Sequence, residues 1–582
     1  MKKIFNADAF ESKNPDIANH EEKFSINLYD ENDKKKSQST LMIEIGEQGY
    51  LFHDDNMDAY AEFERDGIKS TMAIRSKEFT EFLSHELYLL TAKGANAPAI
   101  TDAKNTLEAK SKYNGNQAVT AVRALNFENN VLIDTGCSQR RVIQINANGW
   151  NYTNNSPVKF VRKRGMTALP QPSTYGDIRL IEKYLNVSVN ELPLIYAWLF
   201  CALAGVKPFP ILILQGEQGT GKSTTSRVLR ALVDPSSVPL RSPPKNVRDL
   251  LVSAGNNHVV TLDNLSGLNA ELSDCLCRLS TGGGIDLRAL FTDGEQYLAD
   301  IQRPLLINGI DDIATRPDLA ERAFVINLPV INSKHRRSEK EFWESFNQDS
   351  TKIFTGLLNG IFSGLRHVND IVLIEKPRMA DVAIWATACE RELGMEGQFL
   401  AAHTKNQHNA IQAGIEASPV GTAIMELMSN RDSWTGTPTD LLNKLEQIAG
   451  DRQVRSKAWP QSTKGLNNII KRLTPNFRKL EIEIIKKTSD DRTYRLERID
   501  LQAPYPPEPP KTSQGKGYSS GGYKSQAPEP AVKRLSQADS ESNRLPSEPI
   551  NTGIPAHKAD KAVNSEKFLK PRLNKESVFE EI

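Results

Sequence analysis

The octet Gly216-Glu217-Gln218-Gly219-Thr220-Gly221-Lys222-Ser223, followed by Thr224, constrains this chain more than any other feature. It matches GxxxxGK[ST], follows the apolar run Phe209–Gln215 and opens a helical pattern through Val228 and Leu232. Strand, loop and helix in that order curl backbone N–H groups around phosphates at a helix N-terminus. Lys222 then neutralises phosphate oxygens, and the Ser223 hydroxyl ligates Mg2+. Such a loop needs a parallel sheet around it. Between about 176 and 335, the apolar runs PILILQG, HVVTLDN, RPLLING and AFVINLP alternate with helical patterns and supply one.

Those strands end in polar residues suited to phosphoryl chemistry. His258–Asp263 is an apolar strand closing on a carboxylate, which makes Asp263 the natural acid beside a magnesium ion. Asn264 follows it where many such enzymes place a second acid. It can orient a water without taking its proton, so the general base is left open. The strand Pro304–Ile307 ends in Asn308, which reaches a γ-phosphate or its attacking water if this strand neighbours the P-loop strand, and is otherwise an ordinary turn Asn. Arg316 and Arg322 in TRPDLAER carry charge that can stabilise a phosphoryl transition state; the other reading pairs Arg322 with Asp318 or Glu321.

A chain of 582 residues exceeds the usual domain of roughly 100 to 200 and implies about three or four units. The formal net charge of +1 excludes a chain that is basic throughout, so contacts to nucleic acid must come from local clusters. Five cysteines (Cys137, Cys201, Cys275, Cys277 and Cys389) lack paired metal-site spacing and read as free thiols in a reducing cytoplasm. The stretch Leu192–Leu214 is broken by Gly205, Lys207, Pro208 and Pro210, which argues against a membrane span. The N-terminus lacks a secretory signal pattern.

The expected organisation is α/β. A flexible leader over 1–40 precedes a mostly β accessory domain over 41–175, with one helical pattern near Ser76–Leu89. The P-loop core with its parallel sheet spans 176–335, a helical extension 336–415, a winged-helix-like unit 419–500 and a disordered tail 503–582. In the accessory domain, Lys159–Arg164 with Arg140 and Arg141 touches a phosphate backbone or is a solvated strand edge.

The C-terminal unit reads as three helices and two strands. Thr437 caps a helix with Pro438 at its first position, and the wing tip is expected at Thr488–Asp491. Lys464, Lys471, Arg472, Arg478, Lys479, Lys486, Lys487 and Arg492 concentrate there, which favours DNA contact over a protein-binding or merely solvated face.

Taken in order, GEQGTGKST, VVTLDN, TGGGIDLRALFTDGEQYLAD, LLING and RPDLAERA resemble the AAA+ ATPase core of superfamily 3 and poxvirus-type phage helicases. RMADVAIWATACE and SKAWPQS are similar to segments of prophage and integrative-element ATP-binding or primase-helicase proteins. The resemblance implies ATP and Mg2+, a ring, usually hexameric, with ATP between subunits, and single-stranded or forked DNA at its centre. Lys222, Ser223, Asp263, Asn308 and Arg322 fall on its Walker A, Walker B, sensor and arginine-finger positions. It also implies a pore hairpin, here Leu287–Asp300, with Arg288 meeting phosphate and Phe291 or Tyr297 stacking a base or packing across the strands. Asn264, and no double Arg downstream of the sensor, depart from the pattern.

The sensor strand, the Arg pair and the hairpin favour a mobile-element helicase. A non-unwinding, ATP-switched initiator or helicase loader is the second reading, kept open by Asn264. A small P-loop kinase leaves the hairpin and basic unit without a role, and a primase lacks a carboxylate constellation beyond Asp54, Asp55 and Asp58. The terminal Ser577–Ile582 is a candidate dock for another replication protein.

Overall fold

The computed structural model describes residues 26–288, 296–299, 301–310, 313–314, 316–487 and 493–499. All lie in the first of two units into which the chain divides, Met1–Tyr505 and Pro506–Ile582. The tail call over 503–582, the leader before residue 26, Phe291, the expected wing tip and Arg492 fall outside the described residues.

Four parallel strands form the central sheet: β1 (Ile211–Gln215), β2 (Val260–Leu265), β3 (Leu305–Gly309) and β4 (Ala323–Asn327). Their spatial order is β2-β3-β1-β4, so β3 separates the P-loop strand from the strand bearing Asp263. All five residues of β1 are buried, as the continuous apolar run ILIL requires of a parallel strand covered on both faces. Covering helices are α1 (Leu192–Ala204), α2 (Lys222–Val233), α3 (Val247–Asn256), α4 (Ala270–Thr281) and the short α5 (Pro317–Ala320). Every residue of α1 is buried in the core, the fate of the most apolar stretch in the sequence. Among the described residues, no helix is long and apolar enough to cross a membrane.

The helices expected over 336–415 are α6 (Glu339–His367), α7 (Ala380–Glu390) and α8 (Gln398–Glu416). They are not a separate layer. Phe354, Leu357 and Ile361 of α6 and Trp385 of α7 share one hydrophobic cluster with α1 and with Leu212 and Leu214 of β1.

The N-terminal region is mixed rather than mostly β. Helices Gln38–Glu47, Lys77–Thr91 and Ala97–Tyr113 stand beside its strands. The third was hidden in sequence because its buried face is built of small residues, Ala99, Ala103 and Ser111 with Leu107, and so carries little hydrophobic contrast. Nor are residues 26–40 a loose leader: Tyr29 bridges Lys35, Lys36 pairs with Glu44 at 2.7 Å, and Ser37 caps the first helix.

A second N-terminal sheet contributes Val131, Ile133, Ile143 and Ile145 to the hydrophobic cluster that packs on the central sheet. Arg123 locks the two together. Fully buried, it donates from Nε to Asp234 at the end of α2 (3.2 Å) and from Nη2 to the carbonyl of Thr167 (2.8 Å). Burying the Arg123 guanidinium is tolerable only because its donors are used.

The C-terminal unit comprises α9 (Pro419–Met428), α10 (Pro438–Val454) and α11 (Thr463–Lys479) with a three-stranded sheet. Strands Ile482–Lys486 and Tyr494–Arg498 match expectation; Ser433–Gly436, which pairs with the latter, was missed because four alternating residues give no usable period. Thr437 and Asp440 form a capping box at the start of α10.

Candidate nucleotide site

The loop Gly216–Gly221 leaves the C-terminal end of β1 and enters α2 with Gly221 in the N-cap position. Gly219 and Gly221 have φ of 84° and 85°, a region L side chains rarely adopt. Lys222 is folded back: its Nζ donates to the carbonyls of Gly216 and Glu217, both at 2.7 Å. Burial lowers its pKa, and the nearby Asp263 carboxylate opposes that shift.

Three side chains from three elements converge beside the loop. Ser223 Oγ of α2 donates to Asp263 Oδ1 of β2 at 2.9 Å, and Asn308 Nδ2 of β3 donates to the same oxygen at 2.7 Å. Asn308 can do this because Asn308 pairs with Leu214 in the β3–β1 register, next to the P-loop. Its Nδ2 also reaches Ser226 Oγ at 3.0 Å, and its Oδ1 accepts from the backbone N–H of Asn264 at 2.9 Å. An ordinary turn Asn would not be buried with every polar atom engaged.

The register of β2 on β3 is irregular between Leu262 and Leu265, so Asp263 and Asn264 leave the ladder. Bulges of this sort re-aim side chains. Asn264 takes φ 59°, a left-handed conformation in which Asn is enriched and Glu is not, which gives a backbone reason for the missing second acid. The Ser223 hydroxyl and Asp263 carboxylate are hard oxygen donors, 2.9 Å apart at a helix N-terminus, and suit a magnesium ion that keeps several waters and otherwise binds phosphate.

Beside the loop opens a cavity of about 470 Å3 that sequence reading missed. Tyr184, Ile331, Phe342 and Trp343 supply apolar and aromatic wall; Gly219, Gly221 and Thr224 supply the P-loop side. Tyr184 and Phe342 meet edge to face at 5.6 Å, and the Arg227 guanidinium lies 4.5 Å over Trp343. Asn186 ties the cavity to the loop by donating to the carbonyls of Thr220 (3.0 Å) and Pro329 (2.6 Å).

Arg336 and Arg337 also line this cavity, and Arg336 Nη2 sits 3.4 Å from where a Cβ on Gly219 would lie. No double Arg was recognised downstream of the sensor in sequence, yet this pair is there. The signal was the HRRSEKEFW run, legible only once α6 is known to start at Glu339 beneath the P-loop.

Arg316 and Arg322 are not part of this convergence. Arg316 bonds Asp274 at 2.8 Å and the Ala270 carbonyl at 2.6 Å, both on α4 or its cap. The Arg322 guanidinium pairs with Asp318, the bland alternative foreseen for it, and donates to the Asp318 carbonyl at 2.8 Å. Its own carbonyl accepts from Ile211 N at 2.9 Å, which puts Arg322 at the opposite end of β1 from the P-loop. Four residue steps at about 3.3 Å make that separation roughly 13 Å along the strand alone.

The remaining expected contacts divide. Arg288 and Tyr297 lie on an antiparallel pair, Arg288 opposite Gln296 and Leu287 opposite Tyr297; their side chains, like Phe291, fall outside the described residues. Lys464, Lys471, Arg472 and Lys487 are exposed, and Lys486 bonds Asn467 at 2.7 Å. Arg478 is held by Glu483, and Lys479 reaches Glu321 of the core. Within the basic stretch of the N-terminal region, Lys159 pairs with Glu62 (2.6 Å), Arg162 with Asp134 (2.7 Å) and Arg140 with Glu78 (3.8 Å), whereas Arg164 is exposed.

With this geometry in view, two family models match. Residues 178–403 match the actinomycete integrative conjugative element replication protein, and residues 420–511 match the C-terminal domain of the RepA protein of such elements. The likeness is to a mobile-element replication protein. Solved structures that match include the NrS-1 C-terminal region (12% identity, TM-score 0.36, covering 80% of this chain and 100% of that one). Another is SCCmec type IV Cch, described as an active helicase (12% identity, TM-score 0.43, covering 77% and 92%). No curated protein matches the chain significantly. The first match ends within α8, and the second begins in the first turn of α9, where the C-terminal unit starts.

Proposed function

We propose that the chain is an ATP-dependent DNA helicase or translocase of mobile-element replication, hydrolysing ATP between subunits of a ring. The observation that carries this is the division of labour along β1. Ser223, Asp263 and Asn308 converge at one end, and Arg322 sits at the other, out of reach of its own P-loop. A guanidinium so placed serves phosphoryl transfer only on a neighbouring copy.

In this reading the backbone of Gly216–Gly221 and Lys222 hold the phosphates, and the aromatic cavity takes the nucleoside. Ser223 and Asp263 hold magnesium, which supplies charge neutralisation at the phosphate oxygens. Asn308 orients the γ-phosphate or the attacking water, and its bond to the Asn264 N–H fixes that amide in place. The neighbour's Arg322 exchanges Asp318 for the phosphoryl oxygens. DNA contacts fall to the hairpin of Arg288 and Tyr297 and to Lys464, Lys471, Arg472, Lys486 and Lys487.

Asn264 favours a second reading, a non-unwinding switch or helicase loader, since no second acid follows Asp263. The two separate in one experiment: ATP turnover with and without single-stranded DNA, beside strand displacement from a labelled fork, for the native chain and Lys222→Ala. Unwinding that is DNA-stimulated and Lys222-dependent supports the motor. Stimulated turnover without displacement supports the switch. No turnover in any condition rejects both catalytic readings.

A further inference from the structure

One face of α2 carries a ladder of polar side chains. Ser223 opens it, Ser226 follows one turn on and Arg230 two turns on, spacings that stack side chains above one another on a helix. The neighbouring strands answer each of them. Ser223 meets Asp263 of β2, Ser226 meets Asn308 of β3, and Arg230 Nη1 donates to Thr261 Oγ1 of β2 at 2.6 Å. Thr261 and Asp263 stand two residues apart and so share one side of their strand. Arg230 and Thr261 do not line the nucleotide cavity.

Arg230 is fully buried, and its guanidinium reaches in several directions. Nε donates to the Asp234 carbonyl (3.0 Å), Nη1 also to the Pro239 carbonyl (3.2 Å) and Nη2 to Asn257 Oδ1 (2.9 Å). Burial pushes its pKa down to about 10, opposed by the Asp234 carboxylate, and it stays charged at neutral pH. A buried guanidinium is a poor means of stabilising a core, where apolar side chains of similar volume often do as well or better. What it offers is geometry: one planar fork joins the end of α2, the segment 235–241, the C-cap of α3 and β2.

Asp263 needs such a fixture. The β2–β3 ladder lapses after Leu262, so the sheet does not set its position. Its backbone N–H donates instead to the carbonyl of Arg241 (2.9 Å), on the segment 235–241 that bridges Leu262 in parallel. Thr261 Oγ1 donates to the Pro239 carbonyl of the same segment (2.8 Å). Arg230 therefore holds both supports of Asp263, the segment through Pro239 and the strand through Thr261. We infer that Arg230 is a positioning residue, which through Thr261 and the Pro239 carbonyl sets Asp263 against Ser223 for a magnesium–nucleotide. This rests on the proposed reading of Ser223 and Asp263 as magnesium ligands. Its effect falls on magnesium rather than on the phosphate grip of Lys222 and the loop backbone, to which Arg230 makes no bond.

The test uses the full chain carrying Arg230→Lys, whose single ammonium cannot span these segments, or the near-isosteric Thr261→Val, which removes one bond and leaves Arg230 its others. Affinity for a fluorescent, non-hydrolysable ATP analogue is measured in EDTA and across a Mg2+ series, beside the melting temperature. In EDTA both variants should bind as the native chain does. The Mg2+ concentration that gives half of the full gain in affinity should rise about tenfold or more in Arg230→Lys, and in the same direction by less in Thr261→Val. A role in the core alone would lower the melting temperature and leave that Mg2+ half-point at its native value, which overturns the inference while leaving the magnesium reading intact. Should Arg230→Lys fail to fold, Thr261→Val decides between these two outcomes. A native chain whose affinity ignores Mg2+ overturns the reading of Ser223 and Asp263 as magnesium ligands, and the inference with it.

Discussion

The two ends of β1 contrast in how their functional side chains are held. At the C-terminal end, Ser223, Asp263 and Asn308 already point at one another and leave a site shaped for phosphate and magnesium. At the N-terminal end, Arg322 is occupied by the Asp318 carboxylate of its own chain. On the proposed reading, one end is a binding site and the other holds a guanidinium meant for a neighbouring copy, whose pairing with Asp318 is what a guanidinium does at an exposed helix when no other anion is offered.

That contrast can be broken or sharpened by substitution. The largest effect is expected for Lys222→Ala, which removes the only P-loop ammonium and should abolish turnover in a steady-state ATPase assay; residual turnover above a tenth of native would contradict its role. Arg322→Ala should follow, lowering kcat about a thousandfold while nucleotide binding is kept, since a finger acts in the transition state. If Arg322 is only the partner of Asp318, the change should instead cost a few tenths of a kcal/mol of stability and leave kcat alone. Asn308→Ala should cost about a hundredfold in kcat, and it should also destabilise, because the Asn264 N–H and Ser226 Oγ lose a buried partner.

Away from the sheet ends the expected effects are smaller. Lys471→Ala with Arg472→Ala should weaken single-stranded DNA binding and lower the salt-dependence slope by about 1.4, at about 0.7 per charge, measured by fluorescence anisotropy across a salt series. An unchanged slope would assign those side chains to bulk solvent.

His258 offers a pH test of the core behind the P-loop. Buried against the Ala202 carbonyl, it has its pKa pushed down to about 4 by desolvation. Its folded pKa lies below the unfolded value, so the unfolded chain binds the proton first. Stability is full above pH 6.5 and falls as pH drops toward 4, by up to about 3 kcal/mol. Denaturant midpoints should show that slope in the native chain and lose it in His258→Gln.

How much of this was legible in sequence depends on the kind of signal. The P-loop and the strands of the central sheet could be read because a strand buried on both faces is a continuous apolar run, and the loop needs particular residues at particular spacings. Asp263 and Asn308 were legible as strand-end residues, but their meeting was not, because that depends on β3 lying between β1 and β2. The cavity was invisible: Tyr184, Asn186, Arg336 and Trp343 come from segments far apart in sequence, none with a pattern of its own. Helix Ala97–Tyr113 was missed for its small-residue face, and the basic run near Lys159 looked available because its partners Glu62 and Asp134 lie on other strands.

The most direct test of the central claim mixes two chains, Lys222→Ala and Arg322→Ala, each expected to be inactive alone. If ATP is hydrolysed between copies, equal mixing should restore turnover to about one quarter of the native rate, since one interface in four joins an intact P-loop to an intact Arg322 in random assembly. If the mixture stays as inactive as its parts, although both chains bind nucleotide or assemble as their single changes allow, Arg322 does not act on a neighbour's ATP.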